Sequence, residues 1–311
     1  MSAPQAIVTG GAGFIGSHLV DALLADGYGV TVIDDLSSGD KRRVADAARL
    51  LELDIVDRAR VAAVIEEVKP ETVFHLAAQS SVVVSVENPG RDCEVNVQGT
   101  LNVVDTANKR NIPVVFTSTG GALYGDEAPR PTGEQQIPRP LSPYGASKLA
   151  GESYVGTWSR AEGVANAICR LGNVYGPRQS PHGEAGVVSI FTHRLHTGQA
   201  PKLFGYGKPT RDYVYVADVV SALRAAAGKA GTFNIATGVE TDVMTIWSEL
   251  SKVAGAELQP ELADLRPGEL QHSRLDASLA ESELGWRPEV PIAEGLRKTY
   301  EALVREFNAA E

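Results

Sequence analysis

Cysteine is nearly absent from this chain: Cys93 and Cys169 are the only two. Thiols so widely spaced make neither a disulfide framework nor a zinc site, so both read as buried thiols in a reducing compartment and no metal is expected. No Lys/Arg run has the length of a nucleic-acid patch. The formal net charge is −10, which argues against a nucleic-acid partner. The longest apolar runs are too short to cross a bilayer. The N-terminus lacks the charged, apolar, small-residue order of a secretory signal. Neither an internal repeat nor a low-complexity tract is found. A soluble, cytoplasmic protein with no membrane contact is the expectation. What the chain does have is 311 residues, 43% of them apolar, enough for one large α/β domain with an appended lobe.

Strand and helix signals alternate through the first half. Ala6-Ile7-Val8 reads as a buried strand, followed by Thr9-Gly10-Gly11-Ala12-Gly13-Phe14-Ile15-Gly16 and then by helical periodicity from Ser17 to Leu24. Glycines in such a turn allow a close backbone approach, and the N–H groups of the helix start then point at a pyrophosphate. Gly29-Val30-Thr31-Val32-Ile33 reads as the second strand and ends in Asp34-Asp35. An acid at that spacing is where a ribose hydroxyl binds, and no Arg follows at once for a 2′-phosphate, so NAD is favoured over NADP.

The alternation continues with a short strand at 50–53, a helix at 58–68 stopped by Pro70, and a strand at 72–76. A single long helix is expected over 93–109, a strand over 113–117, a helix from Ser142-Pro143 to about residue 160, and a strand over 164–170. Repeated β–α units imply a doubly wound parallel sheet of the Rossmann kind, an α/β fold whose ligands sit at the carboxyl ends of the strands. The second half is less regular. Residues 1–174, with 211–237 returning to them, read as the cofactor domain. Residues 175–210 and 238–311 read as a smaller C-terminal lobe that binds substrate.

Tyr144-Gly145-Ala146-Ser147-Lys148 is the second strong feature. Tyr and Lys four apart share a helix face. A free tyrosine, with a pKa of about 10, is a poor base at neutral pH. A nearby ammonium group and a cationic nicotinamide both stabilise the phenolate, which lets Tyr144 take a proton from a hydroxyl while hydride leaves. An ordinary helix with a packed Tyr and an exposed Lys is the alternative for these five residues in isolation. Their place after the fifth strand favours catalysis.

These residues, with Asp54-Ile55, His75-Leu76-Ala77-Ala78, Asn96-Val97-Gln98-Gly99-Thr100, the run Arg170 to Arg178, Arg211-Asp212-Tyr213-Val214 and Arg266-Pro267-Gly268-Glu269, make the chain resemble an extended short-chain dehydrogenase/reductase, more narrowly a nucleotide-sugar 4-epimerase of the UDP-glucose 4-epimerase type. The resemblance runs the full length. It implies that Gly10, Gly13, Phe14 and Ile15 hold the NAD pyrophosphate, and that Asp34, with Asp35, Leu36, Ser37 and Gly39 nearby, holds the adenosine ribose. It also implies that Asp54 and Ile55 meet the adenine. Leu76, Ala77, Ala78 and Gln79 line the path to the nicotinamide, whose ribose Lys148 also bonds. On the substrate side it implies Asn173, Val187 and Val188 at the diphosphate, Lys202 and Phe204 at the uracil, Arg211 and Arg266 neutralising charge, and Glu269 at the uridine ribose.

One departure stands out. Such enzymes usually carry a Ser or Thr four residues before the Tyr of the Tyr-Gly pair after the fifth strand. Counting back from Tyr124 gives Gly120. Thr119 or Ser118 then reaches in, or a water or the substrate bridges, and a triad weakened to Tyr144 and Lys148 is the expectation. The acid that related dehydratases and decarboxylases place there is also missing, since Gly121 and Ala122 follow. Reversible oxidation at C4 through a transient 4-keto sugar is the simplest chemistry left. The sugar is expected to be that of UDP-glucose or UDP-galactose. UDP-glucuronate is second, with Arg178, His182 and Arg194 as candidates for its carboxylate, and a dTDP-sugar third. A catalytically weak NAD-binding sensor and a reductase that releases NADH are the readings from other classes. The resemblance further implies a homodimer, paired through the helices at 93–109 and 144–160.

Overall fold

The computed structural model describes residues 3–181, 186–265 and 270–310. The first half runs β1 (Gln5–Thr9), α1 (Phe14–Ala25), β2 (Gly29–Asp34), β3 (Arg49–Glu52), α2 (Arg58–Val68), β4 (Thr72–His75), α3 (Val82–Glu87), α4 (Pro89–Cys93), α5 (Thr100–Asn108), β5 (Val114–Thr119), α6 (Pro143–Glu162) and β6 (Ala167–Leu171). The second half runs β7 (Asn173–Tyr175), α7 (Val187–His196), β8 (Lys202–Phe204), β9 (Thr210–Tyr215), α8 (Val216–Ala225), β10 (Gly231–Ile235), β11 (Glu240–Asp242), α9 (Val243–Ala254), β12 (Glu261–Ala263), α10 (Ser278–Leu284) and α11 (Ile292–Ala310). Local chemistry sets the helix ends. Asp57 accepts the Arg60 N–H at 3.1 Å at the start of α2, and Ser142 accepts that of Gly145 at 3.2 Å before Pro143 in α6. Gly163 closes α6 in the left-handed region at φ 73°.

Seven strands make one parallel sheet in the order β10-β6-β5-β4-β1-β2-β3, doubly wound as expected. The order reverses between β1 and β4, and a crevice opens there at the carboxyl ends. The turns after these two strands touch. Gly10 sits at φ +72°, and a Cβ on it would stand 2.7 Å from the Ala77 nitrogen. One apolar cluster on the sheet gathers Leu19, Val32, Phe74, Leu223 and Trp286, and a second gathers Ile33, Ile65, Val103, Phe116 and Ile168. A third, with Tyr175, Phe191, Leu203, Trp247 and Leu296, is the core over which α7, α9 and α11 pack.

Segment 211–237 divides. β10 joins the main sheet beside β6, and α8 packs on α1. β9 instead pairs with β7 and β11 in a separate three-stranded sheet. The helix expected over 93–109 is not continuous. α4 ends at Cys93, a π-helical turn spans Glu94–Gly99, and α5 follows. A Cβ on Gly99 would meet the Ile55 side chain at 2.6 Å, and the Asn96 side chain is bonded to three other residues, so this turn is shaped by tertiary contacts. A 3.6-residue pattern does not reveal the one added residue. Cys93 is also exposed rather than buried, because it ends α4 on the solvent side; Cys169 is buried in β6.

Candidate active site

Residues 10–16 wrap the start of α1. Gly16 lies so close to Gly10 that a Cβ there would stand 2.1 Å from its carbonyl oxygen. Gly13 is the N-cap of α1 and no side chain caps it. The first N–H groups of this helix, those of Phe14 and Ile15 among them, face the crevice at the positive end of the helix dipole, which suits a pyrophosphate. Asp34 closes the far side. Its carboxylate accepts the N–H groups of Ala12 and Leu36, each at 2.9 Å, and burial pushes its pKa up against those two bonds. Gly39 is pressed against it, since a Cβ would come 2.7 Å from Asp34 Oδ1. Asp35 is exposed and accepts from Ser37 N and Oγ, at 3.0 and 2.6 Å.

Asp54 faces Arg91, a residue that carried no signal in the sequence. Arg91 Nη2 lies 2.9 Å from Asp54 and 4.0 Å from Asp35, while Nη1 lies 2.7 Å from Glu94. Burial is the largest single influence and works to raise the Asp54 pKa, but the Arg91 bond, the Val56 N–H and the Arg91 charge together outweigh it and hold the carboxyl below its usual range. Ile55 is buried beside it. Leu76 and Ala77 donate their N–H groups to Thr9 Oγ1 at 3.2 and 3.1 Å. That hydroxyl, having accepted both, donates to His75 Nδ1 at 2.7 Å, so His75 carries its proton on Nε2 and gives it to Thr100 at 3.0 Å. Gln79 accepts from Ser81 N and donates to Asp92 at 2.8 Å, so its side chain is tied down beside Ala78.

Tyr144 and Lys148 stand on one face of α6 beneath the ends of β4 and β5. Lys148 is 3% exposed, donates to the Thr117 carbonyl at 3.0 Å and sits 4.9 Å from the Phe116 ring centre. Burial pulls its pKa down to about 8, against the pull of Asp92 and Glu152. Tyr144 is partly buried. Desolvation pushes its pKa up to about 12 with help from Asp92, and a hydrogen bond from Thr119 works the other way. Thr119 Oγ1 also accepts the Ala122 N–H at 3.1 Å.

Of the two hydroxyls expected to assist in place of one at Gly120, that of Thr119 acts on the Tyr144 hydroxyl. Gly120 has no room for a side chain. A Cβ would stand 2.3 Å from Leu275 Cδ1 and 3.3 Å from the Leu171 carbonyl. Ser118 is 4% exposed and its Oγ has no hydrogen-bond partner, a buried polar atom facing the end of β5 that a bound carboxamide or hydroxyl would satisfy. With the uncapped α1 and the Asp34 carboxylate, it gives this crevice the donors and acceptors a dinucleotide needs.

On the other wall, Asn173 opens β7, and its Oδ1 lies 3.2 Å from where a Gly121 Cβ would be. Asn173 is in register with Tyr213 on β9, two residues after Arg211. Arg211 spends Nη1 on the Thr210 carbonyl at 2.8 Å. The neighbouring Asp212 is fully buried and accepts from Thr237 N and Oγ1, Gly238 N and Leu275 N at 2.6–3.2 Å, which pins the loops beneath the crevice. Val187 and Val188 begin α7; Val188 is 1% exposed. Lys202 is paired with Glu261 at 2.8 Å across β8 and β12, 6.0 Å from the Phe204 ring. Arg266, Glu269 and His182 lie outside the described residues.

The family described as "NAD dependent epimerase/dehydratase" matches residues 6–236 of this chain. A UDP-glucose 4-epimerase of Mycolicibacterium smegmatis is 46% identical over 306 residues, 96% of this chain and 97% of that protein. The UDP-glucose 4-epimerase of Thermotoga maritima, solved with UDP-glucose, is 43% identical, with a TM-score of 0.95 over 97% of this chain and 99% of that one. The UDP-glucose 4-epimerase of Thermus thermophilus, solved with NAD, is 41% identical, with a TM-score of 0.90 over the same shares, 97% and 99%. A family match over most of the chain and identity of this extent have one consequence: the chain belongs to the NAD-dependent epimerase/dehydratase family.

Proposed function

We infer that the protein inverts C4 of a UDP-hexose, interconverting UDP-glucose and UDP-galactose, with NAD as its cofactor. The observation that carries this reading is buried Lys148 one turn of α6 from Tyr144, with Thr119 ending β5 and followed by Gly120, Gly121 and Ala122 in place of any acid. Elimination of water needs an acid there, and Leu275 fills the space beside Gly120. Bound NAD supplies the hydride acceptor and returns the hydride. Tyr144 takes the proton of the 4-hydroxyl, Thr119 donates to the phenolate oxygen, and the Lys148 ammonium stabilises that charge. The 4-keto sugar turns about its diphosphate linkage so that the opposite face of C4 meets the cofactor, and Tyr144 returns the proton to O4.

In this reading residues 1–174 and 211–237 serve the cofactor through Gly10, Gly13, Phe14, Ile15, Asp34, Asp54 and the turn from Leu76 to Gln79. Residues 175–210 and 238–311 serve the nucleotide sugar. Val188 has a buried side chain, so it contributes its backbone at the start of α7, where no side chain caps the helix. Arg211 retains donors beyond the one given to Thr210. Lys202 reaches a base only by leaving Glu261. Of the candidates for the carboxylate of UDP-glucuronate, Arg178 gives Nη2 to Asp21 at 2.7 Å and Arg194 donates to Gln199.

The reading includes a homodimer in a reducing, cytoplasmic setting. Among the described residues no helix is long and apolar enough to cross a membrane. α3 exposes Val82, Val83, Val84 and Val86, and α6 exposes Tyr154, an apolar face that a second copy would cover. Sedimentation is expected to give a dimer that Val83→Glu/Val86→Glu converts to a monomer; a monomeric parent protein would refute it. Denaturing the purified protein is expected to release NAD, and UDP-galactose is expected to become UDP-glucose without net NADH. Accumulating NADH would identify a reductase instead, and bound NAD without turnover of any UDP-hexose a sensor.

A further inference from the structure

Arg91, on α4, lies in the connection that leaves β4, yet its guanidinium ends among carboxylates from other parts of the sheet. Nη2 lies 2.9 Å from Asp54, in the loop after β3, and 4.0 Å from Asp35, just past the end of β2. Nη1 lies 2.7 Å from Glu94, which opens the π-helical turn. β1 and its glycine turn stand between β4 and the two strands, β2 and β3, whose loops Arg91 meets. The side chain therefore ties together the two sides of the carboxyl-end crevice, at the end where Asp34 and Asp54 lie.

The floor of that end is fixed. Asn102 Nδ2 of α5 donates to the Ile55 and Val56 carbonyls at 3.1 and 2.9 Å, Asp54 Oδ1 accepts the Val56 N–H at 2.9 Å, and Ile55 is buried. The rim is held differently. The Arg91 side chain is 37% exposed and its three carboxylates are 34–50% exposed, so these pairs open without uncovering the core. We propose that Arg91 is a clasp over the adenosine end of bound NAD, which slows departure of the cofactor by holding the loops after β2 and β3 to α4. Two features support this. Among the described residues Arg91 is the only cation paired with Asp35 or Asp54, and without it three carboxylates face one another across the rim and repel. A planar guanidinium also meets partners on two sides at once, which a single ammonium group does poorly. The inference rests on placing the adenosine beside Asp34 and Asp54, as proposed above. A cofactor that takes a hydride and returns it within one turnover has to stay bound, and slow release serves that chemistry.

The test follows NAD leaving the purified, NAD-loaded protein after dilution into an NAD-consuming enzyme, which prevents rebinding. Arg91→Met keeps the length of the side chain and loses its charge. It is expected to release NAD about fivefold faster than wild type, the effect of losing one well-formed exposed pair, with Arg91→Lys in between. The ratio of the two rates is expected to approach one in about 1 M salt, where the screening length falls to about 3 Å. Taking the ratio cancels any general effect of salt on NAD. The unfolding midpoint of the NAD-free protein is expected to stay within about a degree in Arg91→Met, because exposed pairs add little to stability. The rise in midpoint on adding NAD is expected to shrink. Arg91→Gln serves if the Met variant does not fold. Equal release rates, a rate ratio that salt leaves unchanged, or a lower NAD-free midpoint with unchanged release would each overturn the clasp. Asp34→Ala separates this from the placement of the adenosine. If Asp34→Ala loses NAD quickly while Arg91→Met does not, the clasp alone is overturned; if Asp34→Ala holds NAD as wild type does, the adenosine lies elsewhere and the clasp falls with its placement.

Discussion

Thr119→Ala is the most informative single substitution. It removes the hydroxyl that donates to Tyr144 and leaves the fold's larger contacts alone, because Thr119 is only partly buried and its other bond accepts one N–H, from Ala122. A hydrogen bond to a developing phenolate is worth about 1.5–3 kcal/mol. That corresponds to a loss of about 10- to 150-fold in kcat. Tyr144→Phe removes the base itself and costs more, toward ~10⁴-fold. The bond lowers the Tyr144 pKa, so its loss raises that pKa and moves the limb of the kcat profile that Tyr144 governs to higher pH. Restoring a hydroxyl one position later does not help. In Thr119→Ala/Gly120→Ser the new Cβ would stand 2.3 Å from Leu275 Cδ1, and Leu275 is 1% exposed with its backbone N–H held by Asp212 at 3.2 Å. Overpacking of this kind costs about 1–3 kcal/mol, so the double variant is expected to melt several degrees lower and to stay as slow as Thr119→Ala. Steady-state assays of UDP-galactose conversion and calorimetry read both quantities. Equal losses in Thr119→Ala and Tyr144→Phe, or recovery of activity in the double variant, would refute the reasoning.

The buried Glu152–Arg170 pair, 2.6 Å apart, also holds Tyr124 Oη through Arg170 Nη1 at 2.7 Å. Arg170→Met is expected to destabilise by about 3–5 kcal/mol by stranding Glu152, measured as a lower unfolding midpoint; an unchanged midpoint would show the pair contributes nothing. His75 is neutral in the fold, with a pKa of about 3, and titrates near 6.5 when unfolded. The unfolded chain therefore binds the extra proton between those values, so this contribution to stability is present above pH 6.5 and falls at up to about 1.4 kcal/mol per pH unit as the pH drops toward 3. A His75→Gln variant is expected to lose stability less steeply from about pH 6.5 down to about 4.5 in denaturant titrations. Parallel curves would sink that assignment.

Much of the fold was legible because its signals are local. The strand, glycine turn, helix, strand and Asp34 follow one another within a single βαβ unit, and α2 begins and ends where periodicity and Pro70 put it. Tyr144 and Lys148 were legible for the same reason, being one helical turn apart. Arg91, Asp92 and Asn96 were not assigned roles, because nothing in their own stretch announces Asp54, Gln79 or Ser147 as neighbours. The π-helical turn that frames them adds a residue without disturbing the apolar pattern enough to be seen.

The sequence by itself determined the glycine turn after β1 and put Tyr144 and Lys148 on one helix face, since both depend on spacing within one element. Only the tertiary structure decided which hydroxyl lies at that pair. Counting residues pointed to Gly120, but Leu275, far away in the chain, occupies the space a side chain there would need, and Thr119 turns to Tyr144 instead. It also decided that Asp92 is buried against Gln79 and Asn96 while its neighbour Arg91 reaches Asp54, because burial and charge pairing depend on elements brought together from distant parts of the chain.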